Sequence, residues 1–166
     1  MFRQGFTLLE LLIVLVLVGL MSGLTLPRFS GSLTSIQAKS AVNKVAAMLR
    51  HARNQAVSSQ TAQLVLFDFS GSRVISCPPE AFPQAGIKSV DAWLADAGKD
   101  VRSYQLPENV RIQPDEAQEK NDTSAMMKMV FFPSGNCTGG KIIFTGKQGR
   151  FYRVSVDFIT AIVEIQ

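Results

Sequence analysis

Residues Gly5–Pro27, GFTLLELLIVLVLVGLMSGLTLP, decide how the rest of the chain is read. No charge occurs from Leu11 to Pro27, and Glu10 stands one residue before that run. A carboxylate at the mouth of such a stretch is costly. At the centre of a spanning helix an Asp costs roughly 2.5–3.5 kcal/mol, so an acid in lipid marks a functional site. As a helix, the 22 residues from Phe6 to Pro27 reach roughly 33 Å, which matches a ~30 Å hydrocarbon core. An ordinary secretory signal fits poorly: Glu10 interrupts its apolar core, and Met21-Ser22-Gly23 puts Met where cleavage needs a small residue. A buried helix of a soluble protein would be shorter and less uniformly apolar. A plain membrane anchor fits, and Arg3 facing Arg28 and Lys39 across the span leaves its orientation open.

Together with the short basic leader Met1–Gly5, this arrangement resembles the class III signal of type IV pilins and pseudopilins. The resemblance implies a leader 1–5 removed by a prepilin peptidase after Gly5, with methylation of the new N-terminus, Phe6. It implies an assembly role for Glu10, which in that family pairs with a neighbouring subunit's terminal amine. It also implies a transmembrane and assembly helix 6–27 and a periplasmic head 28–166, with Gly19 and Pro27 bracketing a stretch able to unwind in a filament.

The 139 residues after Pro27 have room for one modest domain with a real core. The formal charge of +4 falls to +3 once Arg3 leaves. No lysine/arginine block accompanies it, so charge alone does not indicate nucleic-acid binding. The two cysteines, Cys77 and Cys137, suit one disulfide in an oxidising compartment such as the periplasm. Closing a loop of about 61 residues would contribute up to ~4 kcal/mol. Two unpaired thiols in separate places are the alternative, and the sequence leaves both open.

Ala38, Val42, Val45, Leu49, Ala52 and Ala56 recur at the spacing of one apolar helix face, which places an amphipathic helix at about 36–58. Lys39, Asn43, Lys44, Arg50 and Arg53 fall off that face and are expected in solvent. With no strong stop before it except Pro27 and Gly31, the anchor should continue into this helix as one long helix to about Ser58, bent near Pro27. From Gln63 the texture becomes short strands: Gln63–Phe69, Arg73–Ser76, Val110–Gln113, Met127–Phe132, Lys141–Thr145, Phe151–Asp157 and Thr160–Ile165. Ser70-Gly71-Ser72, Ser134–Gly140 and Gly146–Gly149 join successive strands. In Phe151–Phe158, Tyr152, Val154, Val156 and Phe158 alternate with polar residues and should all point inward. A polar insertion Pro78–Pro107 carries a short helix at Asp91–Ala97, whose Trp93 and Leu94 dock on the body. Pro114–Ser124 reads as an exposed loop. A helix followed by antiparallel hairpins gives an α+β, pilin-like class, with a long N-terminal helix packed against antiparallel sheet.

Two internal segments narrow the resemblance. Leu49–Val57 (LRHARNQAV) is similar to the L-x-x-A-R-x-x-A-V end of the long helix in the GspH/FimT group of minor pseudopilins. Phe131–Gly140 (FFPSGNCTGG), followed by Lys141–Phe144, is similar to that group's F-x-P-x-G-x-x-x-G-G turn and strand. Val154–Val163 is similar to its closing V-D-x-x-T-G-x-V, with Ala161 where glycine is common. The G-R-x-R run of DNA-binding FimT-type pilins is absent at the last strand; Gly149-Arg150-Phe151-Tyr152-Arg153 only approximates it, in another turn.

Catalytic constellations are not legible, and the chain is not expected to be an enzyme. His51 has no partner at catalytic spacing, Gly146-Lys147-Gln148-Gly149 lacks the phosphate-loop frame, and no Cys/His cluster has zinc spacing. Met126, Met127 and Met129 read as strand packing, and Asp157 with Thr160 as shaping the last turn. No cofactor or metal is expected. The resemblance implies a minor pseudopilin of the type II secretion system, a structural subunit at or near the pseudopilus tip that aids export of folded exoproteins. Its partners would be other pseudopilins, the prepilin peptidase/methylase, the inner membrane and an exoprotein substrate, with no nucleic acid. The alternative is a FimT-like minor pilin serving priming, adhesion or DNA uptake, and a nucleic-acid module would use Lys141, Lys147, Arg150 and Arg153 on one rim.

Overall fold

The computed structural model describes residues 7–25, 30–83, 89–96, 98, 100–115, 126–147 and 149–166, with 22–25 and 30–34 as backbone only. Helix α1 spans Leu8–Thr25 and α2 spans Ser30–Ser59. Their junction, including the bend expected at Pro27, lies outside the described residues, as do Gly5, Phe6 and most of the Pro114–Ser124 loop. The second helix starts eight residues before its apolar stripe and measures about 45 Å. Every residue of the stripe is buried, and Ala41 and Ala46 widen it.

Two four-stranded antiparallel sheets pack on α2. The first has the order β3-β2-β1-β5, from β1 (Gln63–Asp68), β2 (Arg73–Cys77), β3 (Arg102–Gln105) and β5 (Met126–Phe131). The second has the order β4-β6-β7-β8, from β4 (Val110–Pro114), β6 (Gly140–Gly146), β7 (Phe151–Val156) and β8 (Val163–Ile165). The chain changes sheet after β3, β4 and β5, so Ser134–Gly140, which joins successive strands as expected, is a crossover between the sheets. Leu49, fully buried between helix and sheets, contributes roughly 1.5–3 kcal/mol by burial alone. The five alanines on the same face let both sheets approach the helix axis closely.

Strand β3 was not legible. Arg-Ser-Tyr-Gln contains one strong β-former, and it pairs as an edge from Arg73↔Gln105 to Ser76↔Arg102. Phe158 also departs from expectation. Strand β7 ends at Val156, the chain turns at Asp157, and Phe158 is left 62% exposed. The same turn shortens the last strand to Val163–Ile165.

The first sheet has two apolar faces. Val65, Phe67 and Val74 look toward α2, while Leu64, Leu66, Ile75 and Cys77 form a second cluster on the other side. The insertion covers that side through α3 (Val90–Asp96), one residue earlier than expected, with Trp93 and Leu94 docked as read from sequence. The Trp93 indole N–H donates to the Ala81 carbonyl at 2.9 Å, and its ring meets Phe82 edge-on at 5.8 Å. Arg73 ties the insertion to the β1–β2 turn, reaching buried Asp68 at 3.2 Å and Asp91 at 2.6 Å. We expect Trp93→Ala to cost about 2 kcal/mol, less than a fully buried Trp because the ring is half-buried. Limited proteolysis should then cut within 78–101 before the helix–sheet body opens.

Candidate functional site

At the N-terminal end, Thr7 caps α1. Its Oγ1 accepts from the Glu10 N–H at 3.3 Å and its carbonyl accepts from the same N–H at 3.1 Å. Thr7-Leu8-Leu9-Glu10 therefore has the spacing of a T-x-x-E capping frame, of which the bond from the Glu10 N–H to Thr7 is formed. Glu10 is exposed, as is every side chain from Thr7 to Met21. An apolar surface of that extent on a folded chain marks an association surface. Helix α1 is unbroken at Gly19, where an added Cβ would meet nothing within 4 Å. Its 18 residues give roughly 27 Å. Among the described residues no helix is long and apolar enough to cross a membrane; Phe6, Leu26 and Pro27, which complete the apolar run, lie outside them.

At the far end of α2 the three internal motif segments converge. Arg53 is half-buried, not solvated, because its Nε donates to the Gly135 carbonyl at 3.2 Å. Arg50, on the exposed flank, donates to the Val163 carbonyl at 3.3 Å. The helix end thus holds both the crossover loop and the last strand. Gly135 (φ 86°) and Gly139 (φ 67°) turn that loop in the left-handed region. A Cβ on Gly139 would stand 2.9 Å from Phe158 Cβ and 3.3 Å from the Val156 carbonyl oxygen. Asp157 organises the adjoining turn as its sequence suggested: Oδ1 accepts from the Ile159 N–H (3.0 Å), the Thr160 N–H (2.8 Å) and the Thr160 hydroxyl (2.9 Å). Ala161, at the motif's glycine position, has φ 49°, which explains why glycine is usual there.

Cys77 and Cys137 are both free and buried, so the disulfide left open by the sequence does not form. Cys77 belongs to the cluster under Trp93 and Cys137 to the cluster around α2, and the first sheet lies between those clusters. Burial pushes the Cys77 thiol up to about 11. Burial also raises Cys137, against a lowering hydrogen bond from the Gly139 N–H to Sγ at 3.2 Å. His51 is exposed and its Nε2 lies 2.9 Å from Arg102 Nη1, a link from α2 to β3. Of the cationic rim, Lys141 and Arg153 lie on β6 and β7, Arg153 pairing with Asp115 at 3.5 Å, while Lys147 and Arg150 flank the β6–β7 turn. Among the described residues no three His, Cys, Asp or Glu side chains gather as a metal site.

A helix presented bare near the N-terminus, followed by a second helix packed by two antiparallel sheets, defines the pilin-like fold. The prokaryotic N-terminal methylation motif matches residues 1–26, and the profile of Type II transport protein GspH matches residues 41–159. This chain belongs to the GspH family. It is 29% identical over 157 residues to the type II secretion system protein H of Xanthomonas campestris pv. campestris, covering 95% of this chain and 79% of that protein. The minor pseudopilin EpsH of Vibrio cholerae shares the fold at TM-score 0.51 and 15% identity, over 80% of this chain and 95% of that one. The type IV minor pilin FimU of Pseudomonas aeruginosa shares it at TM-score 0.53 and 15% identity, over 80% and 88%.

Two outcomes check this geometry. Gly139→Ala should destabilise the head by about 2 kcal/mol, from left-handed strain together with the clash against Phe158, read by urea unfolding. Hydrogen bonds from Thr160 hold the Asp157 carboxyl below its ordinary value. A lowered folded value means that its contribution is present above the unfolded pKa, about 3.9, and is lost as pH falls through the folded one. Asp157→Asn should therefore lower stability at neutral pH and flatten the acid limb below about pH 4, so that parent and variant converge as pH falls, read by urea unfolding across pH.

Proposed function

We infer that this chain is a minor pseudopilin of a type II secretion system, a structural subunit at or near the pseudopilus tip that aids export of folded exoproteins. The observation that carries the reading is the GspH match over 41–159 joined, in one chain, to an N-terminal methylation motif at 1–26. The bare α1 supports it. In this reading the leader is cut after Gly5, Phe6 is methylated, and residues 6–27 anchor the subunit in the inner membrane with the head in the periplasm. Extraction moves α1 from lipid into a bundle of other pseudopilin helices, one apolar surrounding replacing another. Glu10 then sets the register, because an unpaired buried charge costs several kcal/mol and a neighbour's Phe6 amine relieves that cost. Gly19 and Pro27 bound the segment that unwinds in the filament. The chain carries no chemistry of its own and is the substrate of the peptidase and methylase. An exoprotein meets the head.

A minor pilin of a type IV pilus is the second reading, supported by the likeness to FimU at TM-score 0.53. Loss of the gene separates the two: exoprotein secretion fails under the first, and pilus number or DNA uptake under the second.

The capping frame makes a sharp test of Glu10. Glu10→Gln keeps a side chain suited to a T-x-x-E/Q cap and removes the charge, whereas Glu10→Ala removes both. Both variants should insert in the membrane, and both should be lost from the pseudopilus in co-purification with its other subunits. Normal incorporation of Glu10→Gln would show that the cap, not the charge, is what α1 needs.

A further inference from the structure

The unpaired cations of the second sheet gather at one end of the head. Lys147 and Arg150 are exposed beside the β6–β7 turn, and Arg111 and Phe151 flank Thr145 on the outer side of the sheet, opposite buried Val110 and Ile112. That end is the one nearest α1 along the chain. A Cβ on Gly146 would lie 3.4 Å from Ala38 Cβ, the Lys147 N–H donates to the Asn109 carbonyl at 3.1 Å, and Asn109 bonds Gln37 at 3.1 Å. Exposed Lys39 lies on the same turn of α2. Ala38 is eight residues along α2 from Ser30, about 12 Å, and residues 26–29 add less than about 18 Å however they run. The basic end therefore stands within roughly 30 Å of the end of α1.

None of Lys39, Arg111, Lys147 and Arg150 forms an ion pair among the described residues, whereas Arg73 and Arg153, elsewhere on the head, do. Glu108 is the one acid flanking the Asn109 corner. Two large apolar side chains are exposed at this same end, Phe151 (67%) and Ile36 (60%). Cations interleaved with apolar side chains suit an anionic lipid surface, where each Lys or Arg adds to attraction and apolar tips enter the headgroup boundary.

We propose that this end of the head docks on the anionic lipid surface of the membrane that holds α1, through Lys147, Arg150, Arg111 and Lys39 with Phe151 inserted among headgroups. The proposal rests on the reading of residues 6–27 as the anchor. Docking orients the head before assembly, and extraction of α1 must release it. Of the anionic partners such a face fits, the tether to α1 selects lipid, since the bilayer is held within reach whatever else is present.

The test uses the full chain reconstituted in vesicles of phosphatidylcholine, alone or mixed with phosphatidylglycerol. Flotation with both vesicles reports the anchor. In the Phe151→Trp variant, quenching of the new tryptophan by brominated lipid reports docking, and the parent, with Trp93 alone, is the control. Quenching is expected in the phosphatidylglycerol vesicles, weaker in pure phosphatidylcholine and lost at high salt. Adding Lys147→Glu and Arg150→Glu should lower it by about tenfold or more while flotation persists. Flotation without quenching in anionic vesicles would overturn the docking and leave the anchor standing; no flotation with either vesicle would overturn both. Quenching indifferent to the charge reversals, alongside oligonucleotide retention that they abolish, would assign the face to nucleic acid and overturn the proposal.

Discussion

The head depends on one constraint, that a single helix face must serve two sheets at once. Ala38, Ala41, Ala46, Ala52 and Ala56 alternate along α2 with Val42, Val45 and Leu49, all buried. Small side chains bring the sheets close to the helix axis, and the larger ones fill what remains between them. A larger residue at any of these alanines would push a sheet outward, and overpacking of that kind costs roughly 1–3 kcal/mol. The interleaved strand order follows from the same constraint. The chain changes sheet three times, after β3, β4 and β5, so neither sheet is built from one continuous run of strands.

The C-terminal half of α2 shows why arginines flank a stripe of small residues. Arg53 and Arg50 reach past the apolar face and donate to backbone carbonyls at Gly135 and Val163. Those carbonyls belong to a crossover loop and to a three-residue edge strand, segments with little secondary structure to satisfy them. The Asp157 turn and the left-handed glycines complete the same corner. Three motifs far apart in the chain are thus one structural device, a clamp that holds the crossover and the closing strand on the helix.

The two ends of the molecule solve opposite problems. At the clamp, polar groups are gathered and satisfied within the chain. On α1, apolar surface from Leu8 to Met21 is left exposed, which no water-soluble monomer sustains over such a length. Cys77 behaves as a small apolar side chain in the cluster under Trp93, whereas Cys137 belongs to the clamp, its Sγ accepting from the Gly139 N–H.

The helix stripe, the short helix under Trp93, the Asp157–Thr160 turn and most strand segments were legible by sequence, because each depends on local period or turn chemistry. Membership of the pilin-like class was equally legible, since a carboxylate beside a long apolar run is a local pattern. Strand β3 was not, because Arg102–Gln105 becomes a strand only when β2 offers its edge. The inward place expected for Phe158 failed because Asp157, by gathering three donors, ended the strand two residues early. The sorting of strands into two sheets, the separation of the cysteines and the burial of Arg53 were decided by tertiary structure alone. Each depends on which face of a strand or helix meets another element, and periodicity carries the face without naming what lies against it.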